Sequence, residues 1–363
     1  MRLAGFRLYR YDLPFSEPLE LKQATLSRRE GLLVELAGDG GAGGWGEAAP
    51  LPGFSSESLD EAAVQLRDLA RGMLHRAITA DLLDPHGSLA RELDAMDLAP
   101  SARFGFELAL WSLHAAGSGK ALPQVLAERP RASVPISALI SSPDRAVEEA
   151  RSARAAGYEA VKLKVGGRDV EEDVELARAV RGALGEAVTL RLDANRAWGL
   201  EEAVRFARAT ADLAFEYVEE PLADTARLSS LARDHGLPVA LDESLSEIEP
   251  EELEDHGYAR AVVLKPTLLG GMTRTLRFAR VATRLGARPV LSSAYETGVG
   301  TSALVALAAV VGDEEVPAGL DTYRRLAGDV LEPRLELPAP RVDVRALFVG
   351  RREIERRQLV PVG

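Results

Sequence analysis

The stretch "AVKLKVGGRDVEEDVELARAVRGALG", from Ala160 to Gly185, contains the unit from which the rest of the fold follows. Its first residues alternate between valine or leucine and lysine, which is the period of a β-strand with two different faces. A glycine pair then leads into apolar residues at helical spacing, and this pattern ends on a glycine. The segment therefore predicts one strand followed by one helix that packs back on it.

The same unit recurs along the chain. Short apolar runs, separated by amphipathic helical stretches, appear at intervals of about 23 to 29 residues. The eight runs are "ASVPISALI", "AVKLKVG", "VTLRLDAN", "AFEYVEEP", "PVALDES", "AVVLKP", "RPVLSSAYE" and "VPAGLDTY". Eight such units in one unbroken series favour a closed (β/α) barrel over an open doubly wound sheet. No clear helix follows the eighth run.

The first part of the chain has a different pattern. "LAGFRLYRYDL" alternates, and "REGLLVELAGDGGAGGWGEA" predicts two antiparallel strands joined by a Gly-rich turn. Residues 38–43 match GxGxxG, but "GWGEAAPLPG" cannot supply the helix that nucleotide binding requires, so we interpret them as the turn. Two helical patterns follow. We expect an α+β domain over residues 1–125, the barrel over 126–330, and a segment over 331–363 that returns to the first domain.

Composition restricts the classes of function. The chain has 363 residues, a formal net charge of −12 and no cysteine. The acidic balance argues against nucleic acid and anionic membranes as partners, and the lack of cysteine excludes disulfides, thiolate metal sites and thiol nucleophiles. The start lacks the apolar core of a signal peptide, and the run "ALVALAAVVG" is too short to span a bilayer. We expect a soluble cytoplasmic protein with a small-molecule partner.

Polar residues cluster where the predicted barrel strands end, which is the functional face of such barrels. Alternate residues of a strand share a face, so Lys162 and Lys164 point together. The same holds for Arg191, Asp193 and Asn195 one strand later. The following strands end in further polar residues: Glu219, Asp242, Lys265, Ser292 and Ser293.

Three of these residues are carboxylates on successive strands. Neighbouring strands are about 5 Å apart, so Asp193, Glu219 and Asp242 should converge. Three converging anions repel one another unless a cation lies among them. With neither cysteine nor histidine nearby, the oxygen donors suit a hard ion, Mg²⁺ or Mn²⁺.

Lysine is scarce in this chain, with five lysines among 44 basic residues. Arginine pairs with carboxylates better but cannot release its proton in a protein, whereas a crowded lysine can. Lysines beside the carboxylates therefore indicate proton transfer. Two lysines opposed across a carboxylate-bound metal match a known pattern for removing a proton α to a carboxylate, in which the metal stabilises an enediolate. The alternative is a buried ion-pair network that only closes the barrel mouth.

These motifs resemble a known family. Together "KLKVG", "LRLDANRAW", "VEEP", "LDES", "LKPTLLGG" and "SSAYETGVG" resemble the muconate lactonizing subgroup of the enolase superfamily. Within it, "PLPGFSSESL", "DANRAW" and "GLDTY" are most similar to the o-succinylbenzoate synthase family. The resemblance covers residues from about 5 to 330. It implies an α+β capping domain on a modified (β/α)7β TIM-like barrel, which agrees with the missing last helix.

The resemblance also implies roles for the residues at the strand ends. Lys164 would be the acid/base lysine and Lys265 the opposing lysine. The Mg²⁺ ligands would be Asp193, Glu219 and Asp242, the first acid of "VEEP" and of "LDES" being taken in each case. The remaining polar residues would bind substrate or support the ligands: Lys162, Arg191, Asn195, Glu220, Glu243, Ser292, Ser293 and Gly319.

The implied reaction is the syn dehydration of 2-succinyl-6-hydroxy-2,4-cyclohexadiene-1-carboxylate, a small carboxylate, to o-succinylbenzoate in menaquinone biosynthesis. The stretch "LPFSEPLELKQATLSRREG" would be a mobile loop over the site. Within it, Lys22 could reach substrate, but a solvated loop lysine is the more ordinary interpretation.

Several alternatives stay open at this stage. The same scaffold serves N-succinylamino acid racemases, dipeptide epimerases and muconate cycloisomerases, and the fold and metal site cannot separate them. Dipeptide epimerases tend to show an acidic D-x-D pattern at the eighth strand, which here contains Asp321 followed by Thr322 and Tyr323. A Schiff-base aldolase and a catalytically inactive binding protein are further possibilities. The sequence does not predict the oligomeric state.

Overall fold

The computed structural model describes residues 1–21, 25–140, 142–350 and 352–362. Its N-terminal part is an antiparallel sheet with helices packed on one face. The strands are β1 (Leu3–Glu20), β2 (Thr25–Gly38) and β3 (Gly43–Ala48), and the helices are α1 (Leu59–Gly72), α2 (Ala80–Leu83), α3 (Ser88–Asp94), α4 (Pro100–Gly117) and α5 (Leu122–Leu126). Residues 39–42, in the GxGxxG match, form the turn between β2 and β3.

Glycines let α4 pack directly on β3. A Cβ on Gly46 would overlap the carbonyl oxygen of Gly105 and lie 2.7 Å from the backbone nitrogen of Ala109. A Cβ on Gly105 would lie 2.9 Å from the Cβ of Ala48. The backbones of helix and strand therefore touch, and α4 is held close under the sheet.

The second part is the barrel. Its strands and helices are β4 (Ser133–Pro135), β5 (Ala138–Ile140), α6 (Ala146–Ala155), β6 (Ala160–Lys164), α7 (Val170–Leu184), β7 (Thr189–Asp193), α8 (Leu200–Ala209), β8 (Val218–Glu219), α9 (Leu228–His235), β9 (Val239–Leu241), β10 (Ala261–Leu264), α10 (Pro266–Leu269), α11 (Met272–Arg284), β11 (Arg288–Leu291) and α12 (Gly298–Ala308). Strands β5 to β11 form one parallel sheet in chain order.

The two edges of this sheet are joined by the eighth apolar run. Ala318 bridges Ile136 and Gly319 bridges Ser292, both in parallel orientation, which closes a (β/α)7β barrel. We expected a full eighth strand, but only these isolated bridges form. Residues 321–325 turn immediately into a 3-10 helix, which ends the extended backbone. No α-helix follows within the described residues up to 330.

The unit that opens the sequence folds as predicted. Val161 and Leu163 of β6 are fully buried, whereas Lys162 is half-buried and Lys164 is exposed at the strand's end. Helix α7 begins after Asp169 and buries its apolar side, and Gly185 caps it with a φ of 69°. Period-two and period-3.6 patterns thus produce the expected strand and helix.

The segment that we expected to be a mobile loop is instead mostly strand. Its two arms are the ends of β1 and β2, with Leu19 paired to Leu26 and Glu20 to Thr25. The register shifts between Pro14 and Leu19. Alternating apolar residues in the arms explain the hairpin, because Leu13, Phe15 and Leu19 are buried. Lys22 lies outside the described residues.

After residue 330 the chain contacts both parts of the molecule. The elements are β12 (Leu331–Glu332), β13 (Arg341–Asp343), α13 (Val344–Val349), β14 (Glu353–Ile354) and β15 (Val360–Val362). Strand β13 pairs with β4 at the bottom of the barrel, and β15 pairs antiparallel with β1 in the N-terminal sheet. In the described ranges, each helix is too short or too polar to cross a membrane.

Candidate active site

A cavity of about 170 Å³ lies at the carboxyl ends of the barrel strands. Its floor and sides come from the barrel, and its outer wall comes from the N-terminal sheet and its loops. The barrel contributes Ser137, Ala138, Leu139, Lys162, Lys164, Arg191, Asp193, Asn195, Tyr217, Glu219, Val263, Lys265, Leu268, Val290, Ser292, Ser293, Ala294, Tyr295, Gly319, Asp321 and Thr322, and the N-terminal part contributes Glu20, Leu21, Leu51 and Phe54. Asp242 and Glu243 line the adjoining cavity.

The three lysines of this cavity differ in their partners. The Nζ atom of Lys162 lies 2.8 Å from Oδ2 of Asp193 and 2.7 Å from Oε1 of Glu219. Lys265 forms a very short ion pair with Asp242. Lys164 is exposed, and its side chain pairs with no carboxylate in the part of the chain that the structure describes. Among the described residues, Lys164 thus has no carboxylate partner, while Lys162 and Lys265 are bound.

The carboxylates hold the two bound lysines in the charged form. Burial alone would lower the pKa of Lys162, but Asp193 and Glu219 outweigh it and raise that pKa well above its ordinary value. Burial also lowers the pKa of Lys265, but the neighbouring Asp242 outweighs this effect, so that the pKa is raised above its ordinary value. Both groups therefore present permanent positive charge at neutral pH.

The carboxylates are buried at the ends of neighbouring strands. Asp193 and Glu219 are register partners in β7 and β8, and Asp242 directly follows β9. Burial, then the charge of Asp193, raises the pKa of Glu219. Burial raises the pKa of the Asp242 carboxyl, but the charge of Lys265 outweighs this effect and lowers the pKa below its ordinary value.

As the side chains stand, the described residues contain no group of three or more acidic or imidazole side chains arranged around a common ion. The chemistry of the donors nevertheless suits a hard cation, because all three are buried carboxylates and two ammonium groups supply the positive charge among them. The donor atoms of these residues therefore fit Mg²⁺. In this structure Lys162 and Lys265 occupy the same carboxylates that the ion would bind.

The second acids of the two acidic pairs support the loop after β9. Glu220 is fully buried and accepts hydrogen bonds from the backbone N–H of Asp242 at 2.9 Å and of Ser244 at 2.8 Å. Burial and the nearby Asp242 raise the pKa of Glu243 to about 7. Asn195 donates to Oε1 of Glu243 at 3.3 Å. These contacts fix the position of Asp242 relative to β7 and β8.

Arg191 and the serines lie around the floor of the cavity. Arg191 is buried, pairs with Glu216 at 2.6 Å and donates to the carbonyl of Pro317 at 2.6 Å, so its guanidinium is already occupied. Ser293 donates to Glu296 at 2.6 Å. A Cβ on Gly319 would lie 2.7 Å from the hydroxyl of Ser292, so the eighth strand can approach β11 only with glycine there.

Other lining residues were not assigned to the site from the sequence, although Asp321 was noted there as the acid of the eighth strand. Asp321 accepts from Tyr158 at 3.3 Å and pairs with Arg324 at 3.1 Å. Phe54 and Tyr295, which come from two different parts of the chain, both line the cavity. Phe54 lies inside the motif "PLPGFSSESL", which could have identified it as a site residue. The contact of Asp321 with the distant Tyr158 has no signature in the sequence.

Two family models match this chain. The model described as "Enolase C-terminal domain-like" matches residues 145–347, and that described as "MenC, N-terminal domain" matches residues 1–113. The o-succinylbenzoate synthase of Pasteurella multocida is 30% identical over 354 residues, which is 95% of this chain and 96% of the relative.

Solved structures with the same fold include enzymes of several activities. Muconate lactonizing enzyme from Pseudomonas fluorescens, complexed with muconolactone, superposes with a TM-score of 0.85 at 22% identity, over 98% of each chain. A dipeptide epimerase from Methylococcus capsulatus, complexed with Mg and the dipeptide L-Arg-D-Lys, has a TM-score of 0.82 and 25% identity, over 95% of this chain and 97% of that chain.

Proposed function

Because this chain belongs to the o-succinylbenzoate synthase family of the enolase superfamily, we propose that it dehydrates 2-succinyl-6-hydroxy-2,4-cyclohexadiene-1-carboxylate to o-succinylbenzoate. This step belongs to menaquinone biosynthesis, and the enzyme is a carbon–oxygen lyase. The observation that carries the assignment of roles is the difference between an unpaired Lys164 and a paired Lys265.

Lys164 acts as the base in this proposal. Its neutral amine takes the proton from the carbon next to the substrate carboxylate, and the resulting ammonium then protonates the departing hydroxyl group on the same face. The C–O bond breaks, water leaves, and Lys164 returns to its neutral form. Lys265 keeps its proton and offers its charge to the developing negative charge on the carboxylate. A dehydration needs one base, which matches one free lysine.

Asp193, Glu219 and Asp242 would hold Mg²⁺, or Mn²⁺ in its place. Such an ion, when bound, would act as a Lewis acid toward the substrate carboxylate. The support is the buried oxygen donor set and the magnesium in the related epimerase structure.

A dipeptide epimerase is the main competing function, since solved neighbours have that activity. A dipeptide brings an ammonium group that needs an acceptor. The acid of the eighth strand, Asp321, is already bound by Arg324 and Tyr158. This occupation favours a substrate without an amino group.

The test is a comparison of kcat/KM over three substrate classes: the cyclohexadiene carboxylate, a panel of dipeptides and a panel of N-succinylamino acids. We expect dehydration to exceed the other two reactions by orders of magnitude. A dipeptide or an N-succinylamino acid with the highest kcat/KM would overturn the proposed substrate. Borohydride trapping with a carbonyl substrate serves as a control, because a covalent adduct at Lys164 would indicate Schiff-base chemistry instead.

A further inference from the structure

Arg29, on β2 of the N-terminal sheet, is a buried cation bound by backbone carbonyls. It is 1% exposed. Its guanidinium donates to the carbonyls of Ala49 at 2.5 Å and Pro50 at 2.7 Å, and to those of Ala294 and Tyr295, both at 3.1 Å. These four carbonyl oxygens compensate the cost of removing the guanidinium from water.

The acceptors belong to the two walls of the substrate cavity. Ala49 and Pro50 begin the segment that also carries Leu51 and Phe54. We name this segment, residues 49–54, the cap wall. The other acceptors lie in the loop after β11, which we name the barrel wall (residues 292–297). These walls come from different domains of the chain, and one planar guanidinium bonds to both.

The barrel wall is strained at the residue that Arg29 holds. Tyr295 has a φ of 64°, in the left-handed region that a tyrosine rarely adopts. Its ring lines the cavity and packs edge-on against Phe15 of the hairpin, with ring centroids 5.8 Å apart. Such a conformation persists only when its surroundings determine it, and the bond from Arg29 to its carbonyl is one such restraint.

A second buried residue of the N-terminal sheet fixes the other end of this wall. Glu47 accepts from the backbone N–H of Thr297 at 2.8 Å, from its hydroxyl at 2.7 Å, and from the N–H of Gly300 at 2.8 Å. The barrel wall is therefore anchored to the N-terminal sheet at its middle by Arg29 and at its end by Glu47. Of these two residues, Arg29 is the one that also bonds to the cap wall.

We propose that Arg29 is a positioning residue for substrate specificity: it keeps the cap wall and the barrel wall in register so that Phe54 and Tyr295 together bind the part of the substrate that does not react. This inference rests on the proposed function only for the identity of the substrate. The lysines and carboxylates lie on other strands, so loss of this register acts on KM more than on kcat.

The experiment compares Arg29→Lys with the matched control Arg103→Lys. Arg103 is a second buried arginine of the N-terminal part; it donates to Glu107, Asp94 and Thr273, and it does not line the cavity. Lysine keeps the charge but cannot bond to four carbonyls in one plane. We expect Arg29→Lys to raise KM about tenfold with kcat within about threefold, the size of effect that one or two lost hydrogen bonds produce. Arg103→Lys should lower only the melting temperature.

Equal KM values in the two variants, at similar loss of melting temperature, would overturn the proposal. Should Arg29→Lys fail to fold, a double-mutant cycle of Phe54→Ala and Tyr295→Gly replaces it, because walls held as one unit give non-additive effects on KM and independent walls give additive ones. Additivity would then overturn it. All variants are assayed with the panel substrate that the wild type prefers, so an error in the proposed reaction is visible in the wild type alone.

Discussion

Among the residues that the structure describes, Asp193 forms its ion pair with Lys162, although its register partner in the neighbouring strand is Lys164. Two lysines on one face of β6 thus have separate tasks. Lys162 pairs with the buried Asp193 and Glu219, whereas Lys164, two residues nearer the mouth of the cavity, has no carboxylate partner among the described residues. The same strand thus supplies one lysine that is bound by two carboxylates and one that is exposed at its end.

Replacing Lys164 with arginine tests whether this residue acts as a base or contributes only its positive charge. Guanidinium keeps the positive charge but cannot accept a proton in the working pH range. We expect Lys164→Arg to lower the rate of the chemical step by about 10²–10⁴, the usual contribution of general acid–base catalysis. Single-turnover kinetics measure this step directly. Lys265→Arg is the matched control and should have a milder effect, because that residue only presents charge.

Near wild-type chemistry in Lys164→Arg would show that Lys164 is not the base. Both variants should keep the wild-type melting temperature and bind Mg²⁺, so that a loss of rate cannot be attributed to unfolding.

Removal of metal tests the carboxylates. Chelation should abolish activity, and Mg²⁺ or Mn²⁺ should restore it. Independently of activity, Glu219→Gln should weaken Mg²⁺ binding in isothermal titration calorimetry, because it removes an anionic donor. Glu216→Gln is the control, since Glu216 is a buried carboxylate of the same segment that pairs with Arg191 and Arg288. Full turnover in a metal-free preparation contradicts the assignment.

Gly46→Ala tests the contact between β3 and α4. The new methyl group would overlap the carbonyl of Gly105, and a backbone cannot move aside as a flexible side chain can. We expect the free energy of unfolding to fall by about 1–3 kcal/mol or more. Gly40→Ala is the control, because a Cβ there meets nothing within 4 Å. Equal unfolding free energies for the two variants in denaturant titrations would exclude close packing as the reason for glycine at this position.

The stability of the protein should fall in acid because of Asp94. Burial raises the pKa of this carboxyl, but Arg103 and Arg277, each 2.7 Å away, more than offset it and lower the pKa. The folded state therefore binds this proton less readily than the unfolded state, and the stabilisation present above about pH 4 is lost as the pH falls through the folded pKa. The difference in unfolding free energy between wild type and Asp94→Asn should shrink below about pH 4. A difference that stays constant down to pH 3 contradicts this.

Much of the barrel follows from local patterns. Strand and helix periods are encoded within about 25 residues, so β6, α7 and the polar strand ends were predictable from neighbours in sequence. The outer part of the β1–β2 hairpin was missed because its polar residues resemble a loop, whereas its strands are fixed by pairing such as that of Leu19 with Leu26. The roles of Arg29 and Asp321 depend on partners far away in the sequence, such as Tyr295 and Tyr158, and no local pattern carries that information.

Strand β15 completes the N-terminal sheet by pairing residues 360–362 with residues 8–10. The whole barrel is thus an insertion between strands of one sheet. During translation the outer edge of β1 emerges first and stays without its neighbour until roughly 350 further residues have been synthesised. Unpaired edges are the places where nascent chains associate with one another. The interval between the synthesis of β1 and that of β15 is therefore the period in which this edge of the sheet is open to association with another strand.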